Sequence, residues 1–151
     1  MTRPAAQSEP YVERHPVSGR AALLEEDGDS CWLYLTAPGD AHLVADCWLY
    51  NCRVFERAEL RTWDRSRPPP APRELVGPAA VFGRAQRGRL TLRWSTDGGA
   101  VAALLDGQPL GYIAPDTRRG CHRALAAAGP WGAPFDEDQY GRLFGAVAPP
   151  A

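Results

Sequence analysis

The chain has no lysine: all 17 of its basic residues are arginine. Arginine has GC-rich codons and lysine AT-rich ones, so this usage points to a GC-rich bacterial genome. An excess of charge of either sign is also lacking, with 18 acidic residues against those 17 and a formal net charge of -1. Such a balance gives no overall drive toward nucleic acid or anionic lipid, and neither partner is expected. The arginines are dispersed apart from Arg84, Arg87 and Arg89 and the pair Arg118-Arg119, and both clusters read as solvated faces.

Long apolar runs are missing as well. No stretch approaches the roughly 20 apolar residues of a membrane span, and residues 1–10 lack the apolar segment of a signal peptide. The expectation is a cytoplasmic protein whose four cysteines, Cys31, Cys47, Cys52 and Cys121, are reduced thiols. Neither a Gly-rich phosphate loop nor a Gly-x-Ser-x-Gly elbow occurs, leaving the common nucleotide-dependent and serine-nucleophile classes without support. The three histidines and four cysteines show no paired metal-ligand spacing. No catalytic residue, metal or cofactor is assigned.

What is present is a globular composition, with 44% hydrophobic and 23% charged residues in 151. That length suits one domain with one core. Residues 1–10 and 145–151 read as flexible tails around a single β-rich domain over 11–144. The stretch 66–73 holds four prolines in eight residues and reads as a surface loop dividing two sets of strands.

The clearest local signal is the alternation of Leu90, Leu92 and Trp94 with Thr91, Arg93 and Ser95, the period of two of a strand with one buried face. Asp97-Gly98 and Asp106-Gly107 supply turn chemistry before 100–105 and 109–114, so a three-strand meander is predicted. Strands 21–25 and 30–36 flank Glu26-Asp27-Gly28-Asp29, and 42–50 adds another. In 30–36 and 42–50 neither face is polar, which predicts central strands. Pairing them sets Trp32, Tyr34, Trp48 and Tyr50 as a cross-strand aromatic cluster if the register allows, with Cys47 and Leu49 on the opposite side. Packing in the core is the first expectation for these aromatics, and an exposed binding surface the second.

Residues 53–64 read as a strand end or short helix, 76–82 as a further strand, and 118–128 and 136–144 as short helices. The predicted fold class is mainly β, or α+β: an antiparallel meander sheet or sandwich with one or two short helices near the C-terminus.

Several groups invite chemistry and have a plainer reading. Cys121-His122 suggests a thiol beside its base, but sequence neighbours diverge on a strand or a helix, and buried structural cysteine is simpler. His42 with Asp46 or Cys47 has no spacing that asks for catalysis. Cys47 and Cys52 are expected on opposite strand faces. The acidic run Glu25, Glu26, Asp27 and Asp29 lacks the spacing of a calcium loop and reads as a solvated turn or an acidic partner-binding edge, as do Asp136, Glu137 and Asp138.

The Trp94-Ser-Thr-Asp-Gly turn is similar to a β-propeller hairpin, but one copy cannot make a propeller. Taken in order, the blocks from Leu24 to Tyr34, Asp46-Cys-Trp-Leu-Tyr-Asn51, Trp94-Ser-Thr-Asp-Gly98 and Leu105-Asp-Gly-Gln-Pro109 resemble a family of small bacterial proteins known only as a domain of unknown function. They cover less than half of the chain. That family often carries histidine after the last proline, where this chain has Leu110. The resemblance implies a β-rich cytoplasmic fold and no activity.

The functional expectation is a non-catalytic protein-binding domain, in particular an immunity-type protein that neutralises a cognate toxin. Its candidate partner-binding residues are Glu25, Glu26, Asp27, Asp29, Trp32, Tyr34, Trp48, Tyr50, Asp136, Glu137 and Asp138. The alternatives are a small-ligand binder or enzyme with a pocket lined by Trp32, Trp48, Tyr50 and Trp94, using His42 or Cys121, and a structural accessory subunit.

Overall fold

The computed structural model describes residues 9–76 and 86–145. Alternating sequence and Asp-Gly turns produce two sheets. In the first, β1 (Tyr11–Arg14), β2 (Ala21–Glu26), β3 (Ser30–Thr36) and β4 (Leu43–Asn51) lie side by side in chain order, all antiparallel. The β2–β3 turn is held by Asp27, whose carboxylate accepts from the backbone N–H groups of Asp29 and Ser30 at 2.9 and 3.0 Å.

The second sheet begins with the predicted meander, β5 (Leu90–Trp94), β6 (Val101–Leu105) and β7 (Gln108–Ile113). Asp106 and Gly107 close the β6–β7 hairpin with φ of 50° and 82°, the two left-handed conformations that a tight hairpin turn requires. Two short strands extend this sheet: β8 (Cys121–His122) runs antiparallel to β7, and β9 (Ala133–Pro134) runs parallel to β8. The fold is therefore mainly β, with a purely antiparallel sheet and a mixed one, where an antiparallel arrangement throughout was expected. Strand β1 was not predicted; its residues are mostly exposed, so they carry little alternation.

The inner faces of the two sheets share one core. Leu24, Leu33, Leu35, Cys47 and Leu49 of the first sheet meet Leu90, Val101, Ala103 and Ile113 of the second. Leu92 and Trp94 pack against the same cluster, as their alternation with Leu90 predicts.

One register shift changes the expected aromatic cluster. Trp32 stands opposite Trp48, but Cys31 stands opposite Tyr50, so Leu49 is an extra residue in β4. A bulge reverses the in-out parity of everything beyond it. Trp48 therefore faces outward while Leu49 and Tyr50 both join the inner core, and Tyr50 leaves the cluster with Trp48 that strict alternation predicts. The same reversal brings Cys52 against the inner core, on the same side as Cys47, where opposite faces were expected.

Both outer faces are covered. On the first sheet Trp32 and Trp48 pack with Ala71 and Leu125. Asn51 locks that cover in place: its carboxamide oxygen accepts from Trp48 Nε1 and from the Ala71 N–H, both at 3.0 Å, and its nitrogen donates to the Ala71 carbonyl at 2.6 Å. Pro70, Ala71 and Pro72 are buried, so the proline-rich loop is a lid on the sheet rather than the surface loop that its composition suggests. On the second sheet, helix α2 (Glu137–Phe144) lays Tyr140 and Phe144 over Ala100, Ala102, Tyr112 and Ala114. Asp136 caps that helix by accepting from the Gln139 N–H at 3.0 Å.

The ambiguous segment 53–64 contains a four-residue helix, α1 (Arg57–Leu60). The helix predicted over 118–128 does not form. Gly120 and Arg118 give their backbone groups to β4, and Cys121 and His122 to β7, so tertiary pairing outweighs the alanine propensity of the segment. Of the predicted strand 76–82, Val76 makes one bridge to Leu125, and the remainder lies outside the described residues, as do most of both predicted tails.

Backbone hydrogen bonds join β4 to the loop before β8 at Asp46. The Asp46 N–H donates to the Arg118 carbonyl at 3.0 Å, and the Gly120 N–H donates to the Asp46 carbonyl at 2.7 Å. Next to this bridge, Cys47 sits against two glycines. A Cβ at Gly120 falls 2.6 Å from Cys47 Cβ and from the Tyr112 carbonyl oxygen, and one at Gly111 falls 2.7 Å from the Cys121 carbonyl oxygen. No side chain fits in either place.

Two predictions follow from these contacts. Gly120→Ala destabilises the protein by about 1–3 kcal/mol through overpacking, and Cys47→Gly in the same chain, which removes the Cβ it meets, recovers part of the loss, measured as coupling in a urea-denaturation double-mutant cycle. Asn51→Ala leaves the backbone groups of buried Ala71 without side-chain partners and costs about 2–4 kcal/mol by the same method; a loss below about 0.5 kcal/mol would show that the lid is not fastened there.

Candidate functional site

Beyond the Asp46 bridge, β4 and the 115–119 loop part company. Asp46 makes both backbone hydrogen bonds recorded between β4 and residues 115–120, so the chain on its N-terminal side has no such seam. Val44 is itself bulged, since Leu43 stands opposite Thr36 and Ala45 opposite Leu35. The space between strand and loop is a groove formed by two adjoining clefts. One, of about 370 Å³, is lined by Tyr34, Leu43, Val44, Asp46, Arg118 and Arg119 among others. The other, of about 310 Å³, shares Val44 and Arg118 and adds Arg20, Pro38, Asp116 and Thr117.

The groove wall is unusual for its exposed apolar side chains. Leu43 is 47% and Val44 36% accessible, on a strand whose remaining side chains are almost all buried. Opposite them stand two cations. The Arg118 side chain makes no hydrogen bond or ion pair within the described residues, and Arg119 donates to the Pro130 carbonyl. Arg20 is held to the Thr36 carbonyl at 2.9 Å. The loop is shaped by Asp116 at a φ of 60° and by Thr117, whose hydroxyl donates to the Ala114 carbonyl at 2.8 Å.

Partial burial raises the Asp46 carboxyl above its ordinary range, against the opposing pull of Arg119 and Arg118. Burial raises the Tyr34 phenol too, helped by the negative charges of Glu25 and Asp46, so Tyr34 presents a neutral hydroxyl. The site is thus a partly hydrated groove with two arginine heads, one carboxyl group, one phenol and an apolar ridge. It suits recognition of a chain carrying both apolar and anionic groups.

Of the candidate partner-binding residues named from the sequence, Tyr34 alone lines this larger cleft. Trp32, Trp48, Tyr50 and Glu26 are buried, at 4%, 0%, 1% and 7% accessibility, so the free protein does not present them to a partner. Their burial has a structural cause: the lid covers both tryptophans, and Tyr50 donates to Glu26 at 2.5 Å beneath the β2–β3 turn. Asp27 and Asp29 converge on Arg67, and this ion cluster ties the turn to the start of the proline-rich loop. Glu25 is exposed on the first sheet. Asp136 is occupied as a helix cap, Glu137 pairs with Arg123, and Asp138 is exposed on the second sheet's cover.

Leu43, Val44, Arg118 and Arg119 are the residues that sequence reasoning did not bring together. The only signal for them was weak: an apolar pair at the start of β4 and two adjacent arginines far along the chain, with Val44 and Arg118 separated by 74 positions.

Burial holds the candidate thiol nucleophiles protonated. Burial raises the Cys47 thiol far above the usual thiol range, and Cys121 is raised by burial as well. Cys52, which donates to Glu26 at 3.4 Å, is pushed up to about 12, first by burial and then by the Glu26 charge. His42 is exposed, and none of these cysteines lines the groove. Among the described residues no three His, Cys, Asp or Glu side chains gather to hold a metal ion. No described helix is long and apolar enough to cross a membrane.

His122 is fully enclosed, tilted against Trp48 with ring centroids 4.7 Å apart. Its Nδ1 accepts from the Ala124 N–H at 2.9 Å, which leaves the proton of the neutral ring on Nε2. Burial lowers its pKa from 6.5 to about 4. An unfolded chain therefore takes up this proton first as the pH falls. The resulting stability is complete above pH 6.5 and is lost progressively down to pH 4, at up to about 1.4 kcal/mol per pH unit. Urea denaturation across that range is expected to show this slope, and His122→Asn, whose side-chain oxygen keeps an acceptor for Ala124, is expected to flatten it.

Comparison of the chain with family models, with curated proteins and with solved structures gave no match, so the groove is read from its own chemistry.

Proposed function

We propose that this chain is a non-catalytic protein-binding domain that contacts its partner through the groove between β4 and the 115–119 loop. Its most specific form is an immunity-type protein that neutralises a cognate toxin by direct contact. The observation that carries the reading is the juxtaposition of exposed Leu43 and Val44 with an arginine, Arg118, whose side chain makes no hydrogen bond or ion pair within the described residues. An apolar ridge beside an available guanidinium is the composition of an interface, where apolar contact supplies affinity and arginine supplies orientation. The non-catalytic part of the reading is supported by the cysteines, whose thiols are held protonated by burial, and by the enclosure of His122.

A second reading has its own observation. Asp46, with a raised pKa in a cleft flanked by two arginines, is the kind of perturbed carboxyl group found where small ligands bind. Native mass spectrometry of the protein purified from its own cells discriminates between the two, since a retained small molecule lost in Asp46→Asn favours the ligand reading.

The protein-binding reading is tested with the tagged full chain as bait in the cells that produce it, at moderate salt. The expected result is one partner retained in roughly equal amount, which arrests growth when expressed alone and not when expressed with this chain. Retention of no protein overturns the reading. A partner that binds but is harmless alone keeps the binding function and removes the immunity-type form.

A further inference from the structure

We infer that the occupant of the groove is an extended peptide segment bearing carboxylates, laid along the 43–45 stretch of β4 with its acidic side chains on Arg118 and Arg119. This deepens the protein-binding reading and rests on it.

The shape argues for an extended segment. The two clefts adjoin at Val44 and Arg118, which line both, so the channel is open on either side of these residues. The channel is also a fork, since the strand and the loop are joined through the backbone of Asp46 and diverge beyond it. A third extended chain fits between two that separate in this way. Successive side chains of an extended peptide point to opposite sides at about 3.3 Å per residue. Alternating apolar and acidic residues therefore meet the Leu43 and Val44 ridge on one side and the arginines on the other.

The charge argues for carboxylates. Elsewhere in the molecule Arg57, Arg67, Arg89 and Arg123 each hold an internal carboxylate. Among the described residues Arg118 holds none, and Arg119 has only a carbonyl partner. Planar guanidinium groups match carboxylates in bidentate geometry. A uniform polyanion such as a nucleic-acid backbone fits less well, because Asp46 and Asp116 stand among the arginines and repel a continuous row of phosphates. Spaced carboxylates avoid that repulsion.

The test uses the full chain, isotope-labelled for NMR, titrated with an eight-residue capped peptide of alternating valine and glutamate. The comparison probes are the valine-lysine counterpart, inorganic phosphate and an oligothymidylate. We expect saturable shifts confined to residues 43–46 and 117–120, weakened by added salt and about tenfold by Arg118→Gln, with a larger loss in the Arg118→Gln/Arg119→Gln chain. Because the Arg118 side chain makes no hydrogen bond or ion pair within the described residues, its single variant is expected to keep the wild-type spectrum elsewhere. The inference is overturned if the glutamate peptide gives no saturable shift, if the lysine peptide binds equally, or if the arginine variants bind unchanged. A stronger response to phosphate or the oligonucleotide also overturns it and makes the groove an anion or nucleic-acid site. A captured cellular partner separates the two levels. Equal retention by wild type and by the double arginine variant sinks the groove assignment and leaves the protein-binding reading standing, whereas failure of wild type to retain any partner sinks the reading itself.

Discussion

The close approach of Cys47 to Gly111 and Gly120 is the constraint on which the arrangement of the two sheets depends. The sheets share a core, but a core alone sets no fixed register between them. At the seam, the missing side chains of the glycines let the backbones come near enough for Asp46 to bond Arg118 and Gly120 on its free edge. Dispersion contacts are short-ranged, so a displacement of even an ångström at this point would open a gap against Cys47. The same bridge defines the groove, because the strand and the loop diverge from the place where it holds them.

The rest of the molecule follows from covering faces. An antiparallel sheet can leave one face wet, but here both outer faces carry large aromatic groups. Trp32 and Trp48 need the proline-rich lid, and Tyr112 needs α2. Each cover is fixed by a buried polar group with its partners supplied: Asn51 under the lid, and the Tyr112 hydroxyl, which donates to Gln139 at 2.6 Å, under the helix. Such bonds add little when formed but are costly to leave unmade, so they select one docking of each cover over neighbouring ones. The Arg67 cluster with Asp27 and Asp29 extends this fastening to the loop's entry.

Once the faces are covered, the polar residues that drew attention in the sequence are mostly occupied. Glu26 receives Tyr50, Asp136 caps a helix, and Glu137 holds Arg123. Exposed apolar groups and a guanidinium without a side-chain partner among the described residues meet instead at the seam, where Leu43 and Val44 face Arg118. Acidic runs are conspicuous in a sequence because they are contiguous. A groove assembled from a strand and a distant loop has no contiguous signature.

Several features needed nothing but the sequence. Leu90, Leu92 and Trp94 alternate because one strand face is dry, and Asp106-Gly107 marks a tight turn because few residues adopt positive φ; both effects act within a few bonds and are therefore local. The mainly β class, the three-strand meander and the hairpin at Asp27 to Asp29 all follow from such rules. The inner or outer fate of Tyr50 did not, since a bulge at Leu49 is set by what β4 must pack against. Nor did the fate of the 118–128 segment, where alanines favour a helix but neighbouring strands claim the backbone. The lid over Trp48 and the groove at Arg118 likewise belong to the tertiary structure alone. Each depends on contacts between segments tens of residues apart, and the free energy of those contacts exists only once the sheets have met.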